Sequence, residues 1–361
     1  MEENKSNSGK KILFSIIVPV YNTEKYIEKC LSSIVKAIDV KEDFEVIIIN
    51  DGSKDNAEEK IKNFISKLDK DLKNRFIYIK KENKGLADTK NVGISKARGE
   101  FISVIDSDDY VSDDFYRIAR KYTSEFDIII YDLYVVFEKN KKQNYTSRAY
   151  RDYMDDELRS YLNGAMSGSS CNKIIKKELY NGYQFPVGKE YEDTAVTPFV
   201  LTDAKKIKYV PYPMYYYLQR EKSIVASNTF SSAFYKICSN LTDVINKKSE
   251  SADKKSVLKK YSKIIQEFIV ERILDNFNED YSMNKNKFID NIKSFKDKNT
   301  DIIDYIVDND LVYNDNEDSH YSKRQKEMVK NIFELLKNEN YNKVKNLLFE
   351  RKVINKLRKL K

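Results

Sequence analysis

Histidine is nearly missing from this chain, with His320 the only one in 361 residues. His-based triads, His-rich zinc sites and His general bases would all have to rest on that residue, which sits in the acidic stretch NDNEDSHYS. Acid and base work therefore falls to Asp, Glu, Lys or Tyr. The three cysteines, Cys30, Cys171 and Cys238, lie far apart without CxxC spacing, and they read as reduced, packed thiols. No apolar run reaches the roughly 18 residues of a spanning helix, and the N-terminus MEENKSNSGKK lacks the apolar core of a secretion signal. The expectation is a cytoplasmic protein whose residues 1–10 form a disordered tail. Tryptophan is absent, and only 9 glycines and 5 prolines interrupt the chain.

What is present is charge of both signs. Lys and Arg number 65 and Asp and Glu 57, for a net charge of +8. The cations are mixed with acids throughout, and no RRM-like or zinc-finger spacing occurs, so nucleic acid is not an expected partner. A hydrophobic content of 41% suits a globular protein, and the length exceeds the usual span of one domain.

From residue 12 to 131 the pattern alternates. ILFSIIV (12–18), FEVIIIN (44–50), RFIYIK (75–80) and FISVI (101–105) are apolar runs of strand length. Between them lie segments of helical period: one in which Ile27, Cys30, Leu31 and Ile34 recur, one capped at Asp55, and a short one over 86–98. Thr23 is a candidate N-cap for the first of these. Strands apolar on both faces and separated by helices predict an α/β domain with a mostly parallel sheet. Beyond residue 131 the pattern decays. Residues 127–138 read as two short strands or one bent one, CNKIIKKEL as a loop leading into a helix, and 205–219 as two strands. After residue 229 Gly and Pro almost vanish, and five or six helices are expected to 361 as a separate all-helical domain, leaving 11–228 to the α/β part.

Ligands of open parallel sheets bind beyond the carboxyl ends of the strands. There this sequence places Pro19, Val20, Tyr21 and Asn22 after the first strand, and Asn50-Asp51-Gly52-Ser53 after the second. Asn83, Lys84 and Gly85 follow the third, and Asp106, Ser107, Asp108 and Asp109 the fourth. Two carboxylates at a strand end can share a divalent cation, which in turn can bridge a diphosphate. The bland reading is turn and cap residues. A second DxD-like run, Asp308-Asn309-Asp310, has no strand before it and reads as solvated surface.

FSIIVPVYNTEKYIEKCLSSI, FEVIIINDGSKDN, NKGLADTKNVGISKARGEFISVIDSDDYV and GKEYEDTAVTPF, in this order, resemble a family 2 glycosyltransferase of the GT-A fold, of the type that builds bacterial surface polysaccharides. The resemblance covers roughly residues 12 to 225 and is most specific over the first 110. It implies an inverting enzyme using a nucleoside-diphosphate sugar, with UDP the expected nucleotide and Mn2+ or Mg2+ the cation, acting on a hydroxyl of a glycan or lipid-linked acceptor. By the same resemblance Pro19, Val20, Tyr21, Asn22 and Asp51 hold the base, and Asn83, Lys84 and Gly85 approach the nucleotide. Asp106, with Ser107 beside it, contacts ribose or a metal-bound water, and Asp108 ligates the metal. Arg220 folds over the diphosphate, Asp193 is the general base, and Glu192 supports the acceptor. Where the family usually reads Ala-Arg-Asn this chain has Thr89-Lys90-Asn91, and Lys90 can meet a phosphate only as a point charge. Asp109 is expected to bond backbone amides of the following turn or cap the next helix near Ser112.

Two alternatives stay open: a nucleotidyl or phosphosugar transferase on a similar α/β scaffold, against which the Gly- and Arg-free PVYNTEKY speaks, and a non-catalytic glycan-binding or scaffolding protein on the same fold. The last eleven residues, RKVINKLRKLK, carry six cations and no acid. They read as an ordinary terminal helix with a solvated basic face, or as a peripheral contact with an anionic membrane surface. Oligomerisation through the helical part is also open.

Overall fold

The structure is a computed structural model that describes residues 12–38, 43–139, 143–146, 157–162, 168–220, 230–283, 287–312 and 322–358. The expected tail at 1–10, His320 and the side chains of the basic C-terminal segment lie outside the described residues. The chain divides into two compact units. The first comprises Met1–Arg151, Gly164–Gly188 and Val200–Ser223, and the second Asp152–Asn163, Lys189–Phe199 and Ile224–Lys361. Two segments upstream of residue 229 thus belong with the helices, one of them carrying Glu192 and Asp193.

The first unit is organised by β1 (Phe14–Val20), β2 (Phe44–Asn50), β3 (Phe76–Lys80) and β4 (Phe101–Val104), all parallel in the order β3-β2-β1-β4. Alternation decides which helix each face meets. Phe14, Ile16 and Val18 of β1 share a core with Ile27, Leu31 and Ile34 of α1 (Ile27–Ala37) and Ala57 and Ile61 of α2 (Ala57–Ser66). Ile17 and Ile49 point the other way, onto Gly93 of α4 (Leu86–Lys96). Every residue of β1 and β2 is buried, as strands covered on both sides require.

Beyond β4 the sheet is mixed. It continues through β8 (Lys173–Lys176), β6 (Ile128–Phe137), β9 (Ile207–Gln219) and β5 (Tyr110–Val111), with β7 (Gln143–Thr146) paired to β6. Strand β8 runs antiparallel to both β4 and β6, so the parallel expectation holds only for the N-terminal half. KIIK is a strand where the sequence suggested the approach to a helix, because a four-residue apolar run satisfies either period. The two strands expected over 205–219 are one, parallel to β6. Tyr131 pairs with Val210 and Asp132 with Pro213, and this irregularity leaves Pro211, which has no N–H to donate, out of the ladder.

Among the described residues the second unit holds eight α-helices from Phe230–Ser249 to Tyr341–Arg358, more than the five or six expected. Breaks at Tyr261 and at the 3-10 turn Val270–Arg272 divide what reads as continuous helix, and neither is marked by Gly or Pro. Its core is aromatic, with Phe277 packed against Phe288 and Phe295 at ring-centroid distances of 6.3 and 5.4 Å. No described helix is long and apolar enough to cross a membrane.

At the start of β4 the backbone runs against β1. A Cβ on Gly99 would lie 2.6 Å from the Ser15 nitrogen and 2.8 Å from the Phe14 carbonyl carbon. The Gly99 N–H donates to the Ser15 hydroxyl, which donates in turn to buried Glu45. Backbone atoms cannot step aside, so Gly99→Ala should cost roughly 1–3 kcal/mol, read as a lower urea midpoint with an unchanged slope.

Candidate active site

The loops leaving β1 and β2 are tied to one another before any ligand is considered. Asn22 adopts a left-handed φ of 52°, a conformation Asn tolerates better than most residues. Its side-chain oxygen accepts the Lys54 N–H at 2.8 Å, and its own N–H donates to the Ser53 hydroxyl at 3.1 Å. One step on, Glu24 and Asp55 exchange bonds. The Glu24 N–H donates to Asp55 at 2.8 Å, and the Asn56 N–H donates to Glu24 at 2.9 Å. Each acid thus satisfies a free N–H at the start of the other loop's helix, so Glu24 shapes the entry to both helices. Thr23 does not cap α1 with its side chain; its hydroxyl donates to Ser107 at 3.0 Å and joins the first loop to the fourth.

Asp51 ties the second loop to the third. It is buried, and its carboxylate accepts the N–H groups of Lys84 at 2.9 Å and Gly85 at 2.8 Å, along with the Lys81 ammonium. Lys81 also pairs with Asp88 at 2.7 Å. Gly85 has φ +88°, which a side chain would strain, and it is the residue from which α4 begins. Asn83 and Lys84 are exposed on this turn, and Tyr21 is 45% exposed on the first loop. Pro19 and Val20, by contrast, are the buried end of β1, and the Val20 carbonyl already accepts the Asp51 N–H at 2.8 Å. The Val20 side chain belongs to the hydrophobic core. Lys90 is buried too, with its ammonium 5.3 Å from the Phe185 ring centroid. Next to it the Asn91 amide pins the Phe185 backbone by two bonds of 2.8 and 2.9 Å.

The acidic turn after β4 gives each carboxylate its own surroundings. Asp109 is buried and accepts the Tyr215 hydroxyl at 2.6 Å and the Leu218 N–H at 2.7 Å. It reaches across to β9 rather than to the following turn or the helix near Ser112. Burial pushes its pKa well up, and the neighbouring charges of Asp108 and Asp106 add to this. Tyr215 also accepts the Asp106 N–H at 3.3 Å, so one phenol holds both ends of the turn. The ring is core, as a tyrosine-rich strand suggests, but the hydroxyl was not foreseeable from composition.

Asp108 pairs with Arg220 at 2.7 Å. Burial raises its pKa and the guanidinium opposes that shift. Arg220 lies with its guanidinium carbon 5.7 Å from the Tyr26 ring centroid, and its Nε is buried without a hydrogen-bond partner among the described residues. The Tyr26 hydroxyl donates to Glu138 at 2.5 Å, and burial followed by that bond pushes its pKa up to about 12. Tyr26, Glu138, Tyr215 and Lys81 are site neighbours that motif reading missed. Only their partners in space identify them.

Among the described residues no three of His, Cys, Asp and Glu converge as a metal cluster. A small hard cation does not need one. Mg2+ and ions like it are held by one or two carboxylates together with substrate phosphates and water, and Asp106 and Asp108 supply such a donor set. Glu192 and Asp193 open a 3-10 turn, Glu192–Ala195, in the second unit.

Beside the acidic turn, burial raises the Cys30 thiol well above its usual range, and Asp109, Asp108 and Asp106 add to the shift. Cys171 and Cys238 are likewise free, buried and shifted upward by burial. A raised thiol pKa keeps the proton on at pH 8. Ellman's reagent should therefore find no reactive thiol in the native protein at that pH and three after addition of guanidinium chloride.

The family model described as "Glycosyl transferase family 2" matches residues 15–183. The chain is 34% identical over 220 residues to the putative glycosyltransferase EpsH of Bacillus subtilis, covering 58% of this chain and 62% of EpsH, under two thirds of that relative. It is 31% identical over 226 residues to the glycosyltransferase GlyG of Streptococcus pneumoniae, covering 59% of this chain and 73% of GlyG. In fold it is similar to Staphylococcus aureus TarS residues 1–349, crystallised with UDP-GlcNAc, at a TM-score of 0.60 and 21% identity over 94% of this chain and 92% of that one. By sequence TarS, a poly(ribitol-phosphate) β-N-acetylglucosaminyltransferase, is 26% identical over 257 residues, 69% of this chain and 43% of TarS.

Proposed function

Because the chain belongs to glycosyl transferase family 2, we propose that it transfers a sugar from a nucleoside-diphosphate donor, a UDP-sugar, with inversion to a hydroxyl of a cell-surface glycan or lipid-linked acceptor. The observation that carries this reading is the Asp106–Asp109 turn, placed at the end of β4 and joined by a hydrogen bond from Thr23 to Ser107 to the loop after β1. The TarS complex with UDP-GlcNAc supports the choice of nucleotide.

In this reading the nucleoside lies on the rim of the first three loops. Tyr21 offers an exposed ring face, and Asn22, Asn83, Lys84 and Gly85 line the approach. Asp51 accepts the N3–H of uracil. A carboxylate has about four acceptor positions, and the Lys81, Lys84 and Gly85 donors leave it room for one more. Asp106 and Asp108, with Ser107 between them, would hold Mn2+ or Mg2+, which supplies neutralisation of the diphosphate's charge. Arg220 is the protein's own cation for that diphosphate, and Lys90 adds a second positive charge. Asp193 removes the proton from the acceptor hydroxyl as its oxygen bonds to the anomeric carbon. The bond from that carbon to the β-phosphate oxygen breaks, and its electron pair leaves with UDP. The proton ends on the Asp193 carboxylate, while Glu192 orients the acceptor.

Two measurements test this. Calorimetric titration should give Mn2+-dependent binding of UDP and not of GDP, lost in Asp108→Ala; absence of nucleotide binding with and without metal would return the acidic turn to a structural role. Asp193→Asn should lower turnover of UDP-sugars by about 10²- to 10⁴-fold while the UDP Kd stays within twofold. Retained turnover in that variant would remove Asp193 from the mechanism.

A further inference from the structure

The turn that carries Glu192 and Asp193 is held in an unfavourable conformation by the helical unit. Tyr191, immediately before it, has φ 57° and ψ 36°, a left-handed conformation that a bulky side chain seldom adopts. Such a residue persists only where its surroundings over-determine it. The surroundings here are specific. The Tyr191 carbonyl accepts the Thr194 hydroxyl at 2.6 Å and the Thr194 N–H at 3.1 Å, which closes the turn upon itself. It also accepts the side-chain amide of Asn240 at 3.0 Å, and the same amide nitrogen donates to the Glu190 carbonyl at 2.9 Å.

Asn240 lies in the helix Phe230–Ser249 and is 2% exposed. Its NH2 group therefore spends both protons on consecutive carbonyls of the segment that leads into the acidic turn. Two ion pairs join the same partners nearer to solvent, Lys236 with Glu190 at 2.9 Å and Lys189 with Asp243. Both are exposed and contribute little. The buried amide differs, because removing it takes a donor from each of two consecutive carbonyls beside a strained residue.

We infer that Asn240 is a positioning residue for the reaction, acting through Asp193 by fixing the backbone of Glu190 and Tyr191. This rests on the reading of Asp193 as the base. It gives the helical unit a task in the chemistry: its long helix supplies the template on which the base-bearing turn is formed. Asn fits that task because its amide carries two N–H donors on a short, stiff side chain, whereas Asp, of the same shape, carries none.

The test is a double-mutant cycle on the full chain, using whichever of UDP-GlcNAc, UDP-glucose and UDP-galactose the wild type turns over fastest. Asn240→Asp should lower kcat by about tenfold or more while the UDP Kd stays within twofold and the far-UV circular dichroism is unchanged. In an Asp193→Asn background the same substitution should cost less than twofold, because a residue that acts through Asp193 has nothing left to act on. Asn240→Ala, which removes both donors without adding a charge, should give a smaller loss of the same kind, and Lys236→Ala should stay within twofold of wild type. Equal losses in both backgrounds, or an unchanged kcat in Asn240→Asp, would overturn the inference while leaving Asp193 as the base. Full turnover in Asp193→Asn alone, or no turnover of any UDP-sugar by the wild type, would remove the reading of Asp193 and the inference with it.

Discussion

Three carboxylates at the end of a buried strand repel one another, and the site is built around that constraint. Each acid is given different surroundings. Asp109 is taken into the core, where a phenol and a backbone N–H from β9 satisfy it and burial favours its protonated form. Asp108 stays near the surface and keeps a guanidinium beside it. Asp106 is fixed through its backbone, by its N–H to Tyr215 and by the Cys30 thiol at its carbonyl, 3.7 Å away. The differing environments let a tight acidic turn persist without three full charges in contact.

The same economy runs around the rim. Where an isolated loop would leave helix-start N–H groups to water, Glu24 and Asp55 satisfy each other's, and Asp51 gathers the third loop by two backbone bonds. A carboxylate used in this way organises three or four residues at once. Nucleotide-binding surfaces benefit because the loops reach their binding geometry before the ligand arrives, and less ordering remains to oppose binding.

Much of the first 110 residues was legible because burial on both faces leaves a local signature: strand-length apolar runs, helical repeats between them, and polar residues confined to strand ends. Legibility failed where a local pattern fits two structures. KIIK suits a strand or a helix start, VPYP resembles a break between strands but lies in a bulge, and Tyr261 interrupts a helix with no residue that advertises it. Within the candidate site, Asp51, Asp106 and Asp108 could be named from strand position and motif, and Pro19 and Val20 from the resemblance, while the burial of the last two at the end of β1 shows only in the structure.

The sequence alone determined that a parallel α/β half exists, that four loops follow its strands, and that acids cluster after the fourth, since each of these is written in residues near one another in the chain. Tertiary structure alone decided the partners. Asp109 finds Tyr215 and Leu218 at separations of 106 and 109 positions, and Asn240 finds Glu190 and Tyr191 at about fifty. A hydrogen bond between distant residues needs only one donor and one acceptor. It carries no period or spacing that a chain could display before folding brings the two together.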